Sequence, residues 1–342
     1  MTVTVTTANQ RAQLWYKELF ADAKKITFFE RFISTSPNSP IQEVSDLTAQ
    51  PGDRINFGLS TRLGGTGIAG DSALEGSEAA ISSYNQTVIV NQLRQGVLLT
   101  GRMDEQKVAY SMRNDAKEKL KIWWAERIDQ ECIDKLAGVT TSTFANTPDA
   151  PSAGTSVWAG GVSADGSLTA AMTMDTKVID KAKQTAMLAT VKVRPIRLED
   201  EEYMGTAVYI LILHPWAAAD LRKDPVWNQA QRDANVRGSD NPILSGALGI
   251  YNGVVVYEHE LMYKDATGGS GGASIARGVL LGQQAAIVGY GSDDQWVEKS
   301  FDYGNQWGIA AGRIFGVQKT RFNSVDYGVV TIATGAAAAS TA

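Results

Sequence analysis

The sequence predicts a mixed α+β fold in which strands and helices occupy separate stretches. Three observations carry this. Apolar and polar residues alternate over 54–60 and again between Tyr84 and Leu99, apolar residues recur every fourth position from Val108 to Leu136, and no regular strand-helix-strand series follows. A length of 342 residues suits two compact domains, and 44% hydrophobic with 20% charged residues is an ordinary globular composition. The longest apolar run, Ala207 to Leu213, is far too short to cross a bilayer, and the first residues lack the basic and apolar regions of a secretory signal.

From about Asn9 to Ile33, apolar residues including Trp15, Phe20 and Phe29 follow a helical spacing that breaks up before Pro37 and Pro40. This reads as an amphipathic arm that needs a surface to cover it. Ile55, Phe57 and Leu59 then alternate with polar residues, and a second alternating run spans Tyr84 to Leu99. Gly64, Gly65, Gly67, Gly70 and Gly76 lie between the runs, so the pair reads as a long hairpin. Two strands alone are marginal in water, so this hairpin must lie on something else.

Val108, Met112, Ala116, Leu120, Trp124, Ile128, Cys132 and Leu136 form the four-residue ladder, opened by Asp104 and Glu105 and stopped by Gly138. The expectation is one helix over 103–137, about 50 Å long at 1.5 Å per residue. Four residues turn 400°, so the stripe winds about 40° per step and meets different partners along its length. With Trp123 on a flank and Lys117, Glu118 and Lys121 wet, it reads as a strut and not as a core helix. Residues 139–172, rich in Thr, Ser, Ala, Gly and Pro, read as an exposed loop with a short hairpin near Trp158. A helix is expected from Asp175 to Ala189 and a fully buried strand over Ala207–Leu213. A helix follows His214-Pro215-Trp216, and Asp224 with Pro225 restarts another through Trp227. Short strands are expected at 254–257, 278–281 and 285–288, with alternation resuming over 308–334.

The function classes narrow by shortage. Two histidines, His214 and His259, and one cysteine, Cys132, leave almost no material for a Ser-His-Asp site or a His- or Cys-ligated metal, and no intrachain disulfide can form. A net charge of −5 argues against a broad nucleic-acid surface. Gly65 to Gly70 spells G-x-G-x-x-G, but no acidic residue occurs between Glu78 and Asp104 to hold a ribose. Gly268 to Gly272 spells G-x-S-x-G, but neither histidine follows the serine. Glu199 to Glu202 and Asp293-Asp294 could serve as glycosidase carboxylates, and read more simply as solvated acidic loops. No catalytic residue, cofactor or metal is expected.

The order of arm, glycine-tipped hairpin, strut helix and α+β body resembles the major capsid proteins of tailed bacteriophages with the Hong Kong 97 type of fold. The wording is similar to the phage N-four-like family in Gly52-Asp53 with Ile55 and Phe57, in Gly70-Asp71, and in Leu74-Glu75-Gly76-Ser77-Glu78. It continues through Leu213-His214-Pro215, Asp220 to Arg222, Asp224, Trp227, Arg237-Gly238, Asn241-Pro242, Leu280 to Gly282, Ala285, Phe301 to Asn305 and Gly316. The resemblance implies an N-terminal arm at 1–50 and an extended loop at 51–101. It implies a peripheral domain at 102–185 and 300–342 with a spine helix at 103–137, and an axial domain at 186–299.

The implied function is a shell subunit, not an enzyme, that self-assembles as hexamers and pentamers into an icosahedral head around double-stranded DNA, without sequence-specific binding. Subunit-interface residues expected on this basis are Trp15, Phe20, Phe29, Ile55, Phe57, Leu59, Gly67, Gly70, Asp71, Glu75, Glu78, Trp123, Trp124 and Trp227. The implied partners are a separate scaffolding protein, since only about 50 residues precede the hairpin, a portal and a decoration protein. The implied location is the virion, after assembly in the bacterial cytoplasm. No lysine lies between 26 and 106, so a lysine–asparagine crosslink from the hairpin is not expected. An encapsulin-like cargo compartment is the alternative within the fold, and a carboxylate-pair glycosidase the alternative outside it.

Overall fold

The computed structural model describes residues 19, 23, 26–44, 52–60, 67, 69, 83–108, 111–139, 144–197, 207–233, 247–291 and 295–336. Of the predicted interface residues, Trp15, Phe20, Gly70, Asp71, Glu75 and Glu78 lie outside these, as do both acidic groups.

A single 3-10 turn at Phe28–Phe32 leads into β1 (Ile33–Ser34) and β2 (Ile41–Val44). The strands β3 (Arg54–Ser60) and β4 (Ser83–Ile89) pair antiparallel with Ile55 opposite Val88. After Val90 the chain continues as β5 (Asn91–Leu98), which leaves the hairpin and joins the main body. The second alternating run is therefore two strands, not one arm of a hairpin.

The helical ladder also divides. Arg102–Lys107 forms α1, which buries none of its side chains, and Met112–Ala137 forms α2. Between them Val108 is extended at φ −97° and ψ 135°, and the Ser111 hydroxyl accepts a hydrogen bond from the Asn114 amide as an N-cap. Gly138 ends α2 at φ +66°, and a Cβ there would meet the Asp149 carbonyl oxygen at 2.5 Å, so both the turn and the close approach require glycine.

The described part of the 139–172 stretch, residues 139 and 144–172, is not wholly an exposed loop. It carries β6 (Ser156–Trp158), which pairs in parallel with a late strand, and it buries Asn146, Thr155, Val157, Ala159 and Leu168. Its small polar residues let the backbone thread between packed elements. Thr176–Leu188 forms α3 with Asp175 as its N-cap, followed by β7 (Ile196–Arg197) and β8 (Ala207–Leu213). Pro215–Leu221 is α4 and Pro225–Asp233 is α5. The strands β9 (Gly249–Tyr251), β10 (Val254–Glu258), β11 (Lys264–Asp265) and β12 (Ile275–Leu281) come next. They are followed by β13 (Ala286–Tyr290), β14 (Gln295–Phe301), the long β15 (Gln306–Lys319), β16 (Arg321–Phe322), β17 (Val325–Asp326) and β18 (Val329–Gly335).

Two large sheets organise most of these strands, and β3–β4 and β16–β17 form separate two-stranded pairs. One has six strands in the order β1-β2-β13-β15-β14, with β5 also on β15; the other has eight and runs β6-β18-β12-β8-β10-β9, with β7 and β11 at its margins. Sheet membership divides the chain differently from the predicted domains. β13 and β14, expected in the 186–299 part, belong with β15, whereas β6 and β18 belong with β8 and β10.

The core lies where α2 crosses both sheets. Leu120, Trp124 and Ile128 pack with Ile309, Phe315 and Val288 of the six-stranded sheet and with Val208, Ile210 and Ile212 of β8. The alternate β8 residues Tyr209, Leu211 and Leu213 face a second cluster with α3, α4 and Trp227. β8 is thus buried on both faces, which is why its sequence is an unbroken apolar run. The strut reading holds for the first half of α2 only. Every residue from Glu131 to Ala137 is buried, including Glu131, Asp134 and Lys135.

Candidate assembly surface

The hairpin is held at its root by its own chain. Its strand β4 carries alternating contacts. Val88 turns inward against the body, while Asn146 clamps the next residue, accepting from the Ile89 amide at 3.0 Å and donating to the Ile89 carbonyl at 2.8 Å. Gln86 donates to the Lys319 carbonyl at 2.6 Å and accepts from the Arg321 amide at 2.7 Å. The seat beneath is paved with glycine. A Cβ at Gly316 would meet the Ile89 carbonyl oxygen at 2.1 Å, and one at Gly289 would meet the Ile55 side chain at 2.5 Å. The opposite face, with Arg54, Asn56 and Thr87, is exposed.

Beneath the seat lies a buried ionic knot. The Lys319 ammonium reaches Asp326 at 3.0 Å with both side chains inaccessible to solvent, and donates to the Asp149 carbonyl at 3.3 Å. The Asp326 carboxylate also accepts from the Ser152 amide, and Arg321 pairs with Asp149 at 3.2 Å. Burial pushes the Lys319 ammonium below its ordinary range, against the pull of Asp326. At the end of α2, Lys135 is buried beside Glu131 and donates to the carbonyls of Asn146 and Phe144. These charges, absent from the sequence reading, fix the 144–152 strap that holds Asn146.

A second clasp ties the arm to α2. Asp129 accepts from the Phe28 and Phe29 amides at 2.9 and 3.1 Å, and burial outweighs these bonds, so its carboxyl is pushed up to about 6. Phe28 stacks 4.6 Å from His259, and Arg31 lies 4.6 Å over the Phe28 ring. The described end of the arm is therefore covered by its own chain.

Several predicted interface residues are core residues instead. Phe29, Ile55, Trp124 and Trp227 are buried within the chain, because the arm, hairpin root, α2 and α5 each find their cover locally. Phe57 and Trp123 are half-buried, Gly67 is exposed at φ +72°, and Leu59 pairs with Tyr84 in the β3–β4 ladder. The predicted structural histidines behave as such. His214 accepts from the Trp216 amide at the start of α4, and burial first, then Lys264, lowers its imidazole to about 4. His259 accepts from the Leu261 amide, and Cys132 is a buried core thiol. The 268–272 glycines form a short turn beside Leu168, not a strand-to-helix elbow. Among the described residues, no group of three His, Cys, Asp or Glu is placed to hold a metal.

Among the described residues the arrangement is one of clamps and covered faces, and the pattern of the family described as phage capsid protein matches residues 2–338. The chain belongs to the phage capsid protein family. This capsid protein is 28% identical to the major capsid protein of Pseudomonas phage KPP25 over 362 aligned positions, which cover 95% of each chain. Its fold is similar to the capsid of Ralstonia phage GP4, with a TM-score of 0.80 and 31% identity over 91% of each chain. The capsid asymmetric unit of cyanophage Pam1 gives 0.76 and 27%, covering 90% of this chain and 92% of that one. The protein is a phage major capsid protein, a structural subunit of the head shell and not an enzyme.

Proposed function

We propose that this capsid protein is a Hong Kong 97-type subunit of the N-four-like kind, closing as pentamers and hexamers into an icosahedral shell around the double-stranded DNA of a tailed bacteriophage. The observation that carries this is the β3–β4 hairpin, rooted by Asn146, Gln86 and a glycine seat, with one face bare. Such a ribbon is completed by a neighbouring copy, as the extended loop of that fold is. We assign the six-stranded sheet with the first half of α2 to the peripheral domain, and the eight-stranded sheet with α3 to α5 to the axial domain. Phe57, Gly67 and Trp123 remain on the intersubunit surface, with Trp15, Phe20, Leu59, Gly70, Asp71, Glu75 and Glu78 as further contacts.

The net charge of −5 suits a wall that does not adhere to packaged DNA, since each neutralised phosphate would add salt-sensitive binding. Assembly takes place in the host cytoplasm with a separate scaffolding protein, a portal and a decoration protein. Electron microscopy of the purified protein, expressed with its scaffold, is expected to show closed particles or capsomers. A persistent monomer would overturn the shell reading, and particles from infected cells without nuclease-protected duplex DNA would overturn the genome-container reading.

A further inference from the structure

We infer that the pocket between the root of the β3–β4 hairpin and the six-stranded sheet is a binding site for a small, neutral aromatic amide. The inference goes beyond the shell reading and does not depend on it, because a single folded chain supplies the walls.

The walls follow from strand parity. Gln42 of β2 stands opposite Ile287 of β13, which stands opposite Gln318 of β15, so the three form one rung. Two residues along, the same two strands carry Gly289 and Gly316, the seat on which the hairpin rests. Side chains of one parity share a face, so Gln42 and Ile287 face the hairpin too. Thr320 follows two residues after Gln318, where its amide donates to the Ala285 carbonyl. Above it, Phe57 pairs with Gln86, whose side chain is bonded to Lys319 and Arg321 on either side of Thr320. The space left between hairpin and sheet is about 250 Å³, with Gln284 and Phe322 completing its lining.

The polar groups here are short of partners. Thr320 Oγ1 is buried without a hydrogen bond, as is Oε1 of Gln318 on the neighbouring rung. The side-chain amides of Gln42 and Gln284 bond to no described residue. Buried polar groups are nearly always paired, so an orphan beside a cavity marks a place where a bound group supplies the bond. Gln284 is also held at φ +52°, a left-handed conformation that favours glycine. Strain of this kind gathers where a side chain has to be presented.

The lining selects the chemistry. None of its residues is charged, so a carboxylate, phosphate or ammonium would lose its water without meeting a counter-charge. Two carboxamides and a hydroxyl each both donate and accept, which matches a group with a donor beside an acceptor, as in an amide. Phe57, Phe322 and Ile287 offer an apolar surface to a ring, and Phe57 makes no ring contact with another described residue. A cavity of about 150 Å³ holds benzene, so about 250 Å³ has room for roughly ten non-hydrogen atoms, a ring with one amide.

Benzamide is the probe, titrated into unassembled subunits and followed by ligand-observed NMR. Its charged isostere benzoate and the amide-free ring toluene are the controls. Saturable binding of benzamide at one site per subunit is expected, with both controls weaker by about tenfold or more. Thr320→Val keeps the shape and removes the orphaned hydroxyl. It should weaken benzamide by about tenfold and leave the unfolding midpoint unchanged or raised. Thymine carries the same donor and acceptor edge on a nucleobase ring. Tighter binding of thymine than of benzamide would assign the natural ligand to the nucleobases, and the reverse to the aromatic carboxamides. Absence of saturable binding by either, controls that bind as tightly, or an affinity that Thr320→Val leaves unchanged would each overturn the inference. Particle formation is read in a separate assay, so a failure of the shell reading and a failure of this site are distinguished.

Discussion

Replacing Asp326 by Asn keeps the shape of the side chain and removes the charge that faces Lys319 at 3.0 Å. Both groups are fully buried, so the ammonium loses its directly paired counter-charge in a place water does not reach, with only the more distant Asp149 carboxylate left to act on it. Breaking a buried pair in this way costs about 3–5 kcal/mol, roughly two to nearly four powers of ten in the folding equilibrium. Asn can still accept from the Ser152 amide and the Thr155 hydroxyl, which places the expected loss in the lower half of that range. The pH dependence adds a second signature. Burial holds the Lys319 ammonium below its ordinary 10.5. Between its folded value and 10.5 the unfolded chain binds the proton more firmly, so stability rises with pH across that window and is lowest below it. Without Asp326 the folded value falls further and the window widens downward. Urea unfolding of unassembled subunits, followed by tryptophan fluorescence, should therefore show a large deficit at about pH 7 that narrows by about pH 9.5. A loss under about 1 kcal/mol, or a deficit that does not narrow, would refute the reasoning.

Gly316→Ala puts a methyl 2.1 Å from the Ile89 carbonyl oxygen, so it should lift the hairpin root, cost about 1–3 kcal/mol and make 53–60 and 83–90 sensitive to limited proteolysis. Asp129 holds its proton more firmly folded than unfolded between about 3.8 and 6, so its contribution to stability declines as pH rises through that window. Unfolding midpoints measured at about pH 4 and about pH 6.5 should accordingly fall for the natural chain relative to Asp129→Asn, which does not titrate. Trp124→Ala should cost about 3–5 kcal/mol in denaturant melts, as for a buried tryptophan, whereas Trp123→Ala, half-exposed on the flank, should cost much less.

Local signals in the sequence were read well where one residue decides the outcome. Gly138 stops α2, Asp224 accepts from the Val226 amide ahead of α5, and the apolar run 207–213 is a strand with two buried faces. The helix break between Val108 and Ser111 escaped because Val108 and Met112 fall on consecutive rungs of the same ladder; Ser111 as a capping residue was the signal available. The 139–172 strap escaped because small polar residues read as solvent-exposed, although a backbone threading between packed elements needs the same residues. The interface expectation failed for Phe29 and Trp124 because periodicity marks a residue as covered without saying by what. The ionic knot was illegible for a simpler reason. Lys319, Asp326 and Asp149 become neighbours only once the strap has folded, with Lys319 and Asp149 170 residues apart in sequence.

The six-stranded sheet joins the earliest described strands to some of the latest. Asn38 accepts from Gln283, 245 residues away, next to where β2 pairs with β13. The hairpin's seat, Gly289 and Gly316, also belongs to β13 and β15. During synthesis, the hairpin strands therefore emerge long before the surface that aims them exists. Pairings this distant form late, because the intervening loop must close first. On the proposed reading, in which the hairpin meets a neighbouring copy, a nascent chain has nothing with which to orient it and so cannot seed a shell. The topology acts as a timer, admitting to assembly only subunits whose last strands have already folded.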